Sequence, residues 1–153
     1  MNISHVYSGN PLNRAHRERH DEQRITAMVN DPTSKFLPLN DLCVPVSEAP
    51  QDALGWMSAD DWRQLGADSP PILLGRLNEV ACFAVDVSGH GPAVQDWSQA
   101  SRYRFVEART AAEFLNGADC GIVAQARSHV NWHSQNGFCS KCGHQTTVKR
   151  GGQ

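Results

Sequence analysis

Two cysteines lie two residues apart near the end of the chain, in Phe138-Cys139-Ser140-Lys141-Cys142-Gly143, and have the spacing of a zinc knuckle. Thiolates so spaced reach one zinc ion because the chain doubles back between them, and Gly143 permits the tight backbone. A structural zinc takes four ligands, usually as two such pairs. No second pair follows before Gln153. The expectation is therefore half a zinc site, in a chain cut inside a small zinc-binding module. A thioredoxin-like redox pair belongs at the start of a helix after a strand, whereas this pair follows a helical stretch and precedes a polar tail. Two idle thiols are the remaining alternative.

Other residues able to do chemistry carry weaker signals. His133 precedes Cys139 by six residues and His144 follows Cys142 by two, an awkward spacing for a Cys2His2 site, so packing or surface roles fit both better. His16 and His20 stand four apart, but Arg17-Glu18-Arg19 between them does not make the pattern of a zinc protease. With Arg14, Asp21, Glu22 and Arg24 nearby, a solvated, salt-bridged helix is the expectation there. Cys43, Cys82 and Cys120 are widely spaced in apolar or small-residue surroundings and read as reduced structural thiols. Asp60 and Asp61 suit a helix start, and His90 sits in a Gly-Pro turn. There is no phosphate-binding Gly-rich loop, no dinucleotide fingerprint and no nucleophile elbow.

These residues must be positioned by a chain of 153 residues, 40% of them hydrophobic, with a formal net charge of −2. That is one ordinary domain with a short appendage. The charge gives no reason to expect direct nucleic-acid or membrane binding. No apolar run approaches a bilayer span, and Met1 to Tyr7 lacks the look of a signal peptide. A cytoplasmic location is the expectation.

Asn13 is the expected N-cap of a helix from Arg14 to about Val29, ended by Asn30-Asp31-Pro32. Strands are expected over residues 35–39 and 42–46 around an Asn40-Asp41 turn. Ser58 to Asp61 opens a short helix closed by Gly66. Residues 71–77 and 80–87 form a hairpin over Asn78-Glu79, with the second strand central. Gly89-His90-Gly91-Pro92 breaks it, and the stretch through Arg102 reads as a surface loop. Another strand covers 103–108. Thr110 and Glu113 have capping-box spacing, and Asp119 is the expected cap of a helix to about Gln135 with Val123, Ala126 and Val130 facing the core. The fold class is α+β, a largely antiparallel sheet with flanking helices, followed by the truncated zinc-ribbon knuckle. The tail from Thr146 to Gln153, lacking a partner strand, is expected to be disordered.

Several motifs occur together in one order: Gly9-Asn10-Pro11-Leu12-Asn13-Arg14, Phe36-Leu37-Pro38-Leu39, Leu74-Gly75, Phe83-Ala84-Val85-Asp86, Gly121-Ile122-Val123-Ala124-Gln125-Ala126-Arg127, Asn131-Trp132-His133 and the knuckle. Nearly the whole chain resembles the N-terminal region of the NADH pyrophosphatases, the Nudix hydrolases that split NAD(H) at its diphosphate. The resemblance implies an N-terminal α/β domain over 1–136, the first half of a four-cysteine zinc ribbon over 137–153, and a catalytic Nudix domain that is absent. Cys139 and Cys142 match the first pair of ribbon ligands, and Gly151-Gly152 the turn before the second. Asn13 stands where Asp is more usual; either caps a helix.

In that family the Nudix box, Gly-x5-Glu-x7-Arg-Glu-x2-Glu-Glu-x-Gly, binds Mg2+ or Mn2+ and does the catalysis, and this sequence has no such box. The resemblance thus implies no catalytic and no cofactor-binding residue here, half of a structural zinc site with Cys139 and Cys142 as ligands, and a homodimer. NADH or NAD+, cleaved to NMNH or NMN and AMP, and NAD-capped RNA would be substrates only with the missing domain. The alternative is a free-standing binding or dimerisation module that has lost its hydrolase.

Overall fold

The run Val80-Ala81-Cys82-Phe83-Ala84-Val85-Asp86 is apolar on both faces because both faces of its strand are covered. In the computed structural model, which describes residues 5–47 and 52–152, this strand lies in the middle of a four-stranded sheet. The elements are α1 (Glu22–Asn30), β1 (Lys35–Leu39), β2 (Val44–Ser47), β3 (Met57–Ser58), α2 (Ala59–Leu65), β4 (Ile72–Leu77), β5 (Val80–Asp86), α3 (Gly91–Ala100), β6 (Tyr103–Val106), α4 (Ala108–Ala111) and α5 (Gly117–Gln135). Strand order is β3-β1-β5-β4, with a separate β2-β6 pair. Every pairing is antiparallel except β1 with β5, which run parallel from Lys35↔Cys82 to Leu39↔Asp86.

Alternation along the strands divides the interior in two. On one face Leu37, Leu39, Leu74 and Ala84 pack with Ile122, Val123, Ala126 and Val130 of α5 and with Val44 and Val46 of β2. On the other, Phe36, Leu73, Phe83 and Val85 meet Ile25 of α1, Trp62 of α2, and Val94 and Trp97 of α3. Phe36 and Phe83 are register partners whose rings stack at 5.3 Å, and Trp62 closes edge-on over Phe36 at 5.6 Å. Each such buried large side chain contributes about 1.5–3 kcal/mol before the entropy of ordering is subtracted.

The α+β reading with a largely antiparallel sheet and flanking helices holds. So does the hairpin: Asn78 and Glu79 both take positive φ, 47° and 71°, as a two-residue turn matched to strand twist requires. Ser58 caps α2 in a reciprocal box with Asp61, and Gly66 ends it at φ 63°.

Three expectations need correction. No helix starts at Asn13. Its backbone pairs with Arg76 beside β4 (Asn13 N to Arg76 O 2.9 Å), Ala15 sits at φ 51°, and a 3-10 turn at Glu18–His20 precedes α1, whose cap is Asp21. The stretch after His90 is a helix, α3. Pro92 stands in its first turn, where the missing N–H costs nothing, and Val94 and Ser98 turn inward. The capping box expected at Thr110 is replaced by a shorter α4 following Glu107, while α5 is capped by Asn116 through the Asp119 N–H at 2.9 Å.

Candidate metal centre and the clamp behind it

The knuckle is a tight reversal. Cys139 N donates to His144 O at 2.7 Å, Gly143 N donates back to Cys139 O at 2.8 Å, Phe138 bridges to Gln145, and Gly143 takes φ 70°. This geometry turns the backbone N–H groups of Cys142 and Lys141, and the Cys142 side chain, toward the Cys139 thiol and holds it below the usual range for cysteine. A thiol so solvated ionises more readily, which is what a metal ligand requires. Cys139 is half-buried and Cys142 exposed, so both are open to an incoming ion.

Nothing among the described residues adds a third ligand. No group of three or more His, Cys, Asp or Glu side chains converges there. His133 is committed elsewhere, its Nε2 standing 3.2 Å from Gly152 O. His16 and His20 meet edge-on with ring centroids 5.2 Å apart and remain exposed.

The tail does not dangle. Thr146 N and Oγ1 bond to Gly137 O and Asn136 O, and Leu73 N donates to Gly151 O at 2.9 Å. Gly151 and Gly152 take φ 63° and 87° and are buried; a Cβ on Gly152 would stand 2.6 Å from Ile72 Cγ2. The expectation of a disordered tail is thus corrected for residues 146–152, Gln153 lying outside the described residues. The cause is Arg19, which is 4% exposed. Among the described residues its guanidinium donates only to backbone carbonyls: Arg14 at 2.8 Å, Gly151 at 3.2 Å and Leu73 at 2.6 Å, with longer bonds to Arg150 and Leu74. Burial, and then the nearby Arg14 charge, lower its proton affinity. Glu22 completes the dock by accepting from Arg150 N at 3.1 Å. The sequence read this stretch as solvated; a 3-10 turn aims one of its arginines inward.

His129 lies against the same dock. Burial first, then the Arg19 charge, hold its imidazole below the usual value, and a Gly152 backbone contact opposes them. Because the folded pKa is depressed, the unfolded chain protonates first as pH falls. Stability from this group is full above about 6.5 and is lost as pH drops through that value toward the folded one. Thermal midpoints measured from about pH 8 down to pH 5 should show that decline, and His129→Gln should flatten it. An equal slope in the variant would show that other groups cause it.

The N-terminal motif is explained by a second interlock. Asn10 Nδ2 donates to Gln125 Oε1 at 2.6 Å and to Gly121 O at 3.2 Å, and Gln125 Nε2 donates to Leu74 O at 2.8 Å. A Cβ on Gly121 would meet Asn10 N at 2.4 Å, one on Gly75 would meet Asn13 O at 2.3 Å, and one on Gly9 would meet Gly117 O at 2.6 Å. Gly75, at φ 153°, follows a register shift in β4 that brings Arg76 to Asn13. These motif residues hold the N-terminal segment against α5 and β4. Sequence reasoning missed both Arg19 and the Asn10–Gln125 pair; for Gln125 the signal was a polar residue within the apolar stripe of α5.

A model of the NADH pyrophosphatase-like rudimentary NUDIX domain matches residues 33–132. Among curated proteins, the NAD-capped RNA hydrolase NUDT12 of Homo sapiens is 47% identical over 38 residues, and that of Macaca fascicularis is equally similar. The enzyme of the same name from Pongo abelii is 45% identical over 38 residues. In each case the matched stretch is 25% of this chain and 8% of the relative. No described helix is long and apolar enough to cross a membrane. With the family model covering most of the chain and the motif residues locked into that domain's packing, the chain belongs to the NADH pyrophosphatase-like rudimentary NUDIX family.

Proposed function

We propose that this chain is the non-catalytic N-terminal region of a Nudix NAD(H) diphosphatase, with Cys139 and Cys142 as two ligands of a structural zinc. The observation that carries the reading is the family match over residues 33–132 in a chain without a Nudix box. The relatives are named for hydrolysis of NAD-capped RNA, which supports NAD-type diphosphates as the whole enzyme's substrates. In such an enzyme Mg2+ or Mn2+ would belong to the catalytic domain, where it would supply Lewis-acid chemistry for diphosphate hydrolysis. The role left to this chain is to dimerise and to shape the substrate site from outside. Trp132 and Phe138, 58% and 68% exposed beside the knuckle, are the apolar surface such contacts need.

Zinc, when bound, would cross-link the two arms of the knuckle. The chain's own part is to hold the Cys139 thiol ready to ionise and to pin the strand leaving the knuckle through Arg19 and Thr146. A thiolate pair alone leaves half the coordination sphere to water or a second chain. We therefore expect weak or substoichiometric zinc, abolished by Cys139→Ser with Cys142→Ser. Tight one-to-one zinc in a monomer would mean that other ligands take part.

The direct test is to incubate the purified chain with NADH, NAD+ and NAD-capped RNA in Mg2+ or Mn2+ and measure AMP or capped-RNA cleavage. No turnover is expected. Product formation that follows the protein through purification would overturn the non-catalytic assignment. The alternative, a free-standing binding or dimerisation module, predicts that a Nudix catalytic domain added in trans forms no complex through Trp132 and Phe138.

A further inference from the structure

Neither the clamp nor the knuckle uses His16 and His20, which stand four residues apart on the N-terminal segment. Their rings lie 5.2 Å apart between centres, with planes at 89°, and both are exposed. The backbone beneath them is fixed. Ala15, at φ 51° and 2% exposed, donates its N–H to Asn13 Oδ1 at 3.0 Å. Arg19 donates its backbone N–H to Ala15 O at 3.2 Å and its guanidinium to the carbonyls of Leu73 and Gly151. Ala15 and Arg19 are thus buried one turn apart, and His16 and His20, each one residue further on, are carried outward side by side. Two ligands already brought together by a rigid turn give a bound ion its contacts with little further ordering.

The spacing suits one metal ion. An imidazole nitrogen stands about 2.0–2.1 Å from an ion such as zinc, which puts the ring centre about 3.2 Å from it. Two imidazoles on one ion then have centres about 4.5 Å apart at a right angle and about 5.2 Å apart at the tetrahedral angle. The observed 5.2 Å falls at the tetrahedral value. Turning a ring about its Cβ–Cγ bond leaves the centre nearly in place while it sweeps the nitrogens toward the gap, and exposure leaves that rotation free. The edge-on pose and a metal-bound pose therefore share the same ring centres.

The donor set selects the ion. Imidazole suits Zn2+, Ni2+ and Cu2+, whereas Mg2+, Ca2+ and Mn2+ prefer oxygen donors. Glu18, between the two histidines, pairs with Arg76 at 3.7 Å, and no group of three His, Cys, Asp or Glu side chains converges among the described residues. Water is left to complete the sphere, which keeps the affinity moderate. We propose that His16 and His20 form a surface site for a late first-row divalent cation, Ni2+, Zn2+ or Cu2+, with one nitrogen from each ring and water in the remaining positions. The ion spans the turn that carries Arg19, so its binding also tightens the anchor of the tail. The site is separate from the knuckle and independent of the diphosphatase reading.

The test is an amide-resolved NMR and calorimetric titration of the full chain carrying Cys139→Ser and Cys142→Ser, which removes the knuckle as a competitor. Ni2+, Zn2+ and Mg2+ are the probes. One Ni2+ per chain is expected, with a dissociation constant of about 100 µM or tighter and a saturable loss of amide signal centred on residues 15–20. Zn2+ should act at the same residues, and Mg2+ should leave them unmoved. His16→Ala and His20→Ala should each weaken Ni2+ binding at least about tenfold, since each removes one of two protein ligands. Because the ion binds the folded turn, saturating Ni2+ should also raise the thermal midpoint, and neither variant should show that rise. The proposal is overturned if no saturable event centres on residues 15–20, if either histidine can be removed without loss of affinity, or if Mg2+ binds as tightly. His16→Gln and His20→Gln give the same reading should an alanine variant fail to fold.

Discussion

Arg19→Met should lower the stability of the domain by about 3 kcal/mol, or about 6–12 °C in thermal midpoint for a chain of this size. The methionine fills similar space but donates nothing, and the carbonyls of Arg14, Leu73 and Gly151 lose the guanidinium they share. Part of that loss is recovered because a buried charge without a counter-ion is no longer desolvated. Leu74 O and Gly151 O also keep other donors, Gln125 and the Leu73 N–H. The remainder still exceeds an ordinary surface change several-fold. Arg19→Lys keeps the charge but not the planar fork, and should recover less than half of the loss. The local readout is the tail: limited proteolysis should cut residues 146–152 faster in Arg19→Met at a temperature where both proteins are folded. An unchanged midpoint together with an unchanged tail would remove Arg19 from its anchoring role.

Gly121→Ala should cost a similar amount, about 3 kcal/mol, for a steric reason. In a helix interior alanine normally gains about 1 kcal/mol over glycine. Here the new Cβ would stand 2.4 Å from Asn10 N and 2.7 Å from its Cα, both backbone atoms that cannot swing aside. The N-terminal segment must lift, and Asn10 then loses Gln125 and the Gly121 carbonyl together. Gly66→Ala is the control. Its φ of 63° also disfavours a side chain, but nothing lies within 4 Å of the added carbon. That change should cost only about 1 kcal/mol. Chemical denaturation of the three proteins decides the matter, and equal losses at positions 66 and 121 would refute the clash.

Local signals were read well wherever they decided the structure. The Asn78-Glu79 hairpin, the Ser58 box with Gly66, and the apolar stripe of α5 all depend on neighbours in sequence. Longer-range competition decided the rest. Residues 14–20 carry no helix breaker, yet Asn13 is taken by Arg76 of β4, and the chain must kink at Ala15 before α1 can begin. α3 was hidden because Gly-Pro reads as a break, although Pro92 followed by Val94 and Ser98 is also how a helix starts and then buries one face. The parallel β1–β5 ladder leaves no mark on either strand alone. Spacing alone marked the Cys139–Cys142 pair, and the structure sets both in one tight reversal closed by Cys139 N on His144 O. The acceptors of Arg19 lie 54 and 132 residues away in sequence, beyond any local pattern.

Those separations have a consequence for synthesis. Arg19 leaves the ribosome early, while Gly151 and the Arg150 N–H that meets Glu22 emerge more than a hundred residues later. At about 5–20 residues per second the nascent domain spends several seconds with its sheet complete and one cationic group without its last acceptors. During that interval β4 also lacks the Gly151 carbonyl that covers its outer edge at Leu73. A bare strand edge is the surface on which chains mispair. The final residues of the tail thus act as a latch, closing the edge only when translation has passed the knuckle.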